Sequence, residues 1–217
     1  METRSAASIF TLNVKAHARE AETLRDVLSP AERARADAFR RQDDRDRYQV
    51  AHTALRRELS ARLGTPPAEI SFVRAPCPSC GGPHGRPSLP GHTLHFSLSH
   101  AGDVVVLAYA QAPVGVDVEE YPTPVAAAEV GSRLHPRERA ELAALPNDRR
   151  PEAFARCWTR KEAHLKGIGT GIAEGLSDHY LGTGTRPAEI PGWHIRDLDD
   201  PLLPVGYAAA VAVASPR

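Results

Sequence analysis

Cys157-Trp158-Thr159-Arg160-Lys161-Glu162-Ala163-His164-Leu165-Lys166-Gly167 holds two of the three lysines in a chain of 217 residues, the third being Lys15. Every other basic side chain apart from histidine is an arginine. A compact ammonium on a flexible stem is therefore wanted at these two places, where a planar guanidinium fork would not substitute at close quarters. As a helix, the segment stands Glu162 one turn from both Trp158 and Lys166. Upstream, Gly115-Val116-Asp117-Val118-Glu119 sets two carboxylates two residues apart in an apolar run. As a strand, that run points both to one face. Three carboxylates and two ammoniums on two such elements suit a hard divalent cation that holds phosphate groups.

Bulk properties narrow the choice. Basic and acidic residues balance at 27 each, which argues against bulk electrostatic binding to nucleic acid. No apolar run is long enough to span a bilayer. Glu2 and Arg4 are followed by no apolar leader core, so no signal peptide is expected. Three cysteines are an odd number, and a chain of this size needs no disulfide framework. The sequence predicts a monomer in a reducing cytoplasm.

Working outward, Ser29-Pro30 reads as an N-cap and first-turn proline of a helix running toward Phe39. Tyr48, Ala51, Leu55, Leu59 and Leu63 recur at helical spacing until Gly64 and Pro66-Pro67 stop them. A short strand is predicted over 70–73 and an irregular loop over 74–91. Strands follow over 94–98 and 104–110, joined by a turn at 99–103, and a third over 114–118. Helices are predicted over 125–134, 136–145 and 151–166, with strands near 176–181, 193–198 and 207–213. Each half thus opens with helix, passes through a loop and closes on a pair of strands. That order predicts an α+β fold of two similar α/β subdomains in a pseudo-two-fold arrangement, residues 1–112 and 113–217, with a cleft between them. A fused pair buries more apolar surface than either small half alone.

Cys77-Pro78-Ser79-Cys80 with Gly81-Gly82-Pro83-His84 after it looks like half a zinc knuckle. Cys77, Cys80 and His84 supply three ligands, and His92, His95 or Cys157 could be a fourth. Because a second Cys-x-x-Cys is missing, a turn with reduced thiols is favoured over Zn²⁺ at Cys77 and Cys80.

Together these segments resemble the Sfp-type 4′-phosphopantetheinyl transferases, the larger, pseudo-dimeric class. The resemblance rests on Gly115 to Glu119, on Trp158 to Lys166, and on Phe96-Ser97-Leu98-Ser99-His100. Gly85-Arg86-Pro87 with Leu89-Pro90, and Ser29-Pro30 with the charged run after it, add to it. It implies Mg²⁺-dependent transfer of phosphopantetheine from coenzyme A to a serine of an apo acyl or peptidyl carrier protein, with release of adenosine 3′,5′-bisphosphate. By the same resemblance Asp117, Glu119 and Glu162 match the metal ligands, and Lys166 and His100 match phosphate contacts. Ser99 and Lys161 fall beside them as further coenzyme A contacts. Arg86 stands where the family reaches the 3′-phosphate, with Arg41 and Arg47 as other candidates. The general base is either Glu138 or Glu162. On the residues alone two rivals remain: a Mg²⁺-dependent phosphohydrolase, and a non-catalytic adaptor organised by the cysteine loop. Taken singly, Glu162 and Lys166 would be a surface pair contributing about 0.3–0.5 kcal/mol.

Overall fold

The computed structural model describes residues 7–170 and 175–216; Glu2 and Arg4 lie outside them. Ser8–Asn13 (β1) runs straight into Val14–Thr23 (α1), whose first turn is closed by the Asn13 side chain accepting from Ala16 N at 3.0 Å. Pro30–Asp37 (α2) begins with a reciprocal cap, Ser29 Oγ accepting from Glu32 N and Glu32 Oε2 from Ser29 N, which satisfies two otherwise orphaned amides. Gln42–Leu63 (α3) ends where Gly64 takes a φ of 69°, the left-handed stop that glycine adopts without a Cβ penalty. Val73–Arg74 (β2) and Pro87–Ser88 (β3) pair as a small ladder. His95–Ala101 (β4), Val104–Ala110 (β5) and Val114–Glu120 (β6) follow. Pro124–Gly131 (α4), Pro136–Ala144 (α5) and Arg150–Ile168 (α6) come next, then Trp193–Asp197 (β7) and Tyr207–Ala214 (β8).

The strands form two antiparallel three-stranded sheets, β1-β5-β4 and β6-β8-β7. In each, the first strand pairs with the last and the last with the one before it. Both faces of β5 are buried. Val105, Leu107 and Tyr109 join Val50, Leu55 and Leu59 of α3 in one core. Val104, Val106 and Ala108 meet Val116 and Val118 of β6 and Ala209 and Val211 of β8 in another. The outer face of β8 receives α6, where Ala163 packs on Ala210 and Ala212. Helix, sheet, sheet and helix therefore stack in layers, each sheet contributing alternate residues to two cores.

Several predicted elements differ. β4 continues through Ser99, His100 and Ala101, and the turn is only Gly102-Asp103. The Gly102 φ of 49° is the positive value that a two-residue hairpin loop asks of its glycine. Of 70–73 only Val73 enters a strand, and its partner β3 lies within the segment expected to be irregular. The predicted helix over 125–134 stops at Gly131. No strand forms over 176–181. Side chains take the backbone groups a ladder would need there: Lys161 Nζ donates to Leu176 O and His179 O at 2.8 and 2.5 Å, and Glu138 Oε1 accepts from Leu181 N at 2.7 Å.

Candidate active site

Two glycines let α6 lie almost on the backbone of β6. A Cβ on Gly115 would come within 1.9 Å of Ala163 O and 2.5 Å of Gly167 N, and one on Gly167 would meet the Trp193 ring at 2.6 Å. This contact sets the helical face of Trp158, Glu162 and Lys166 against the strand face of Asp117 and Glu119. The β4 side is held by hydroxyls: Ser97 Oγ accepts from Val116 N at 3.0 Å, and Ser99 Oγ donates to Asp117 Oδ1 at 2.8 Å. Lys166 Nζ places one donor on Asp117 Oδ1 at 2.6 Å, one on Ser99 Oγ at 2.9 Å and one on Val116 O at 3.2 Å. Three donors on a compact head fit this corner as a planar fork would not.

The cluster carries more negative charge than Lys166 can balance. Asp117 is buried, and burial raises its pKa above the ordinary value although Lys166 and Ser99 pull the other way. Burial, then the charge of Asp117, pushes Glu119 up to about 7 despite a hydrogen bond from Trp158. Burial, Asp117 and Glu119 together push Glu162 to about 7 as well. Asp117 Oδ2 and Glu162 Oε1 are buried with no hydrogen-bond partner. Buried carboxylate oxygens without donors are costly, and a hard cation with oxygen ligands would satisfy them and remove the mutual repulsion. The chemistry of the donor set therefore fits Mg²⁺, although the three carboxylates do not bring their oxygens within 4.8 Å of one another and would have to draw closer around the ion.

A cavity of about 520 Å³ opens beside Lys166 and is walled by both halves. His52, Leu55, Phe72 and Arg86 line it from the amino-terminal half, and Leu165 and Lys166 from α6. Arg86 Nη1 donates to Gly167 O at 2.8 Å, while its buried Nε has no partner. Burial lowers the Arg86 pKa from its usual value. His100 is an exposed residue on β4. Partial burial of its ring, and then the charges of Arg47, Lys166 and His52, hold its pKa below that of a free imidazole.

The other sequence-predicted residues are dispersed. Arg47 Nε donates to Gly102 O at 2.7 Å and Nη1 to Asp44 Oδ1 at 3.0 Å, so it pins the β4–β5 turn. Arg41 is the exposed residue preceding α3 and makes no capping bond. Lys161 and Glu138 are turned inward, against the expectation of coenzyme A contact and general base. Both are almost wholly buried and pair with each other at 2.8 Å. Glu138 Oε1 also accepts from Leu181 N and Gly182 N, and Oε2 from His135 N. The physical reason lies in helical geometry: residues five apart do not share a face, so Lys161 cannot point where Lys166 does. Sequence reasoning missed Ser97, although Ser97 and Ser99 at strand spacing share a side, and it missed the steric demand at Gly115 and Gly167.

A sequence profile of the 4′-phosphopantetheinyl transferase superfamily matches residues 113–198, which include β6, α6 and the three carboxylates. The chain is 34% identical over 197 residues to the 4′-phosphopantetheinyl transferase HetI of Nostoc sp., covering 87% of this chain and 79% of that protein. It is 34% identical over 175 residues to the 4′-phosphopantetheinyl transferase psf-1 of Bacillus pumilus, covering 79% and 71%. It is 26% identical over 207 residues to Sfp of Bacillus subtilis, covering 91% and 87%.

Proposed function

From its membership of the 4′-phosphopantetheinyl transferase superfamily, to which this chain belongs, we propose that it moves the 4′-phosphopantetheine arm of coenzyme A onto a serine of an apo acyl or peptidyl carrier protein. The observation that carries this reading is the pairing of Asp117 with Lys166, which lines a cavity between the two halves, together with the electrostatic coupling of Asp117 to Glu119 and Glu162. Mg²⁺ held by these carboxylates would neutralise charge on a pyrophosphate while keeping waters of its own.

The chain's own groups supply the rest. A cavity of about 520 Å³ is of the size that takes a small organic ligand. Arg86, which lines the cavity, and His100, Arg47 and Arg41 are our candidates to donate to the phosphates of coenzyme A, arginine bidentately. Lys166 can exchange a contact within its corner for a phosphate oxygen and stabilise charge there. Glu162, a carboxylate at the cluster with an oxygen that no protein donor engages, is suited to take the serine proton. Glu138 is fully buried with both oxygens engaged, which supports Glu162 over Glu138 as the base. The serine oxygen bonds to the phosphorus that carries pantetheine, the pyrophosphate P–O bond breaks, and adenosine 3′,5′-bisphosphate leaves.

We further read residues 1–112 and 113–217 as the two subdomains, supported by the strand order repeated in the two sheets. Balanced charge supports the absence of bulk binding to nucleic acid, and an odd cysteine count supports a reducing cytoplasm; we read the chain there as a monomer with no membrane partner. No helix among the described residues is long and apolar enough to cross a membrane. The test is intact-mass measurement of a panel of apo acyl and peptidyl carrier proteins after incubation with coenzyme A and Mg²⁺. A gain of one phosphopantetheinyl group per carrier is expected. Coenzyme A consumed with every carrier mass unchanged would mark a phosphohydrolase and overturn the reading.

A further inference from the structure

Apart from the carboxylate site, one other group of described side chains has metal-ligand chemistry. Cys77 Sγ, Cys80 Sγ and a ring nitrogen of His84 all lie within 4.8 Å of one another. Cys80 Sγ stands 3.0 Å from His84 Nε2. Around a tetrahedral ion with Zn–S near 2.3 Å, neighbouring ligand atoms are about 3.3–3.8 Å apart. To reach that geometry Cys80 Sγ and His84 Nε2 would open by a few tenths of an ångström, and any pair standing near the 4.8 Å limit would close by about 1 Å.

The backbone beneath them is already folded as a tight loop. Gly81 N donates to Cys77 O at 2.8 Å, Cys77 N to Gly82 O at 2.7 Å, and His84 N to Gly82 O at 2.9 Å. Gly81 has a φ of 74°, a conformation that favours glycine. A Cβ on Gly82 would lie 3.0 Å from the His84 ring and 3.4 Å from Cys80 Sγ, so the small residue is what lets thiol and imidazole meet. A Cβ on Gly85 would sit 2.5 Å from Ala75 O, so the two arms of the loop close directly on each other. Cys77 is buried, whereas Cys80 and His84 are exposed, which gives an ion a route in.

We infer that Cys77, Cys80 and His84 bind one thiophilic divalent cation of the zinc class. Water completes the fourth position, because His92, His95 and Cys157 fall outside the group. This reverses the sequence expectation of reduced thiols in a turn. The missing second Cys-x-x-Cys is replaced by a histidine four residues on, brought back by the glycines. The consequence is local stiffness. His84, Gly85 and Arg86 all line the cavity, so an ion here fastens the loop that forms this wall. Binding requires the thiols to give up their protons, so affinity rises with pH.

The inference does not rest on the transferase reading, since its readouts use no activity. The protein is purified without chelator and kept reduced with a phosphine. Elemental analysis should find about one zinc per chain, or titration against a chromogenic chelator should show uptake of about one equivalent. Co²⁺ added in place of zinc should give a thiolate-to-metal charge-transfer band. Cys80→Ser and His84→Ala, at exposed positions where folding is not at risk, should each lower the stoichiometry or the affinity at least tenfold. A reduced wild-type protein that takes up neither zinc nor Co²⁺ overturns the inference. Unchanged stoichiometry and affinity in both variants overturns the ligand set.

Discussion

Two carboxylate–ammonium pairs hang from the same helix, and they are built to opposite ends. Lys161 meets Glu138 at 2.8 Å in the interior, and Lys166 meets Asp117 at 2.6 Å at the cavity. The interior pair is saturated. Glu138 accepts from three backbone amides, Lys161 donates to two backbone carbonyls, and the segment 176–182 is tied to α6 through them. The cavity pair is left short. Asp117 Oδ2 and Glu162 Oε1 have no donor, and Glu119 and Glu162 are pushed up to about 7 by burial and by their acidic neighbours. A buried pair with every lone pair used is a fastening, whereas a buried cluster with surplus negative charge is a receptacle. The difference between them is the number of unsatisfied oxygens, which distances within each pair do not reveal.

The comparison breaks most sharply at Asp117. Asp117→Ala should lower carrier modification by about 10³-fold or more, roughly 4 kcal/mol of transition-state stabilisation. Its melting temperature should stay near that of the parent, because the deletion also removes a source of repulsion. Near-normal turnover at saturating Mg²⁺ would strip the cavity cluster of its role. Lys166→Arg should cost more than about tenfold in rate, above about 1.4 kcal/mol, because a fork cannot occupy the corner of Asp117, Ser99 and Val116 O. An unchanged rate would reduce Lys166 to a surface charge.

A third acid, in the amino-terminal half, sharpens the contrast at smaller scale. Burial alone would raise the Glu32 pKa, but hydrogen bonds from His52, Ser29 and Arg56 outweigh it and bring it down to about 2. A depressed carboxylate contributes stability that is present above its unfolded pKa and lost as pH falls through its folded one. Glu32→Gln should therefore flatten the decline in unfolding free energy between about pH 5 and pH 2. At neutral pH it should cost about 1 kcal/mol, once solvent screening of this part-exposed group is allowed for. Urea titrations at stepped pH would show it, and a decline as steep as the parent's would remove Glu32 from the fastening class.

Most of the helices and strands, and the pattern of the candidate site residues, are readable from the sequence because their signals are local. A continuous apolar run marks β5, alternate valines mark β6, helical spacing and Gly64 mark α3, Asp117 and Glu119 stand two residues apart, and Glu162 stands one turn from Lys166. Illegible parts depend on side chains reaching across the chain. The strand expected over 176–181 yields because Glu138 and Lys161 capture its amides and carbonyls. Lys161 and Lys166 weigh alike by composition, and only their five-residue offset on a helix separates interior from cavity. The pairing of Cys80 with His84 likewise depends on two glycines folding the loop back, which cysteine spacing alone does not convey.

The most direct measurement sets Glu162 against Glu138, side by side. Both isosteric variants, Glu162→Gln and Glu138→Gln, would be assayed for carrier modification by intact mass, with the rate divided by the folded fraction from thermal melts. Glu162→Gln should melt near the parent temperature and lose at least about 10²-fold in rate. Glu138→Gln should melt several degrees lower, because it breaks a buried ion pair, yet keep its rate per folded molecule within about threefold, well under 1 kcal/mol of barrier. A Glu138→Gln enzyme that is fully folded and inactive, beside an active Glu162→Gln, would contradict both expectations.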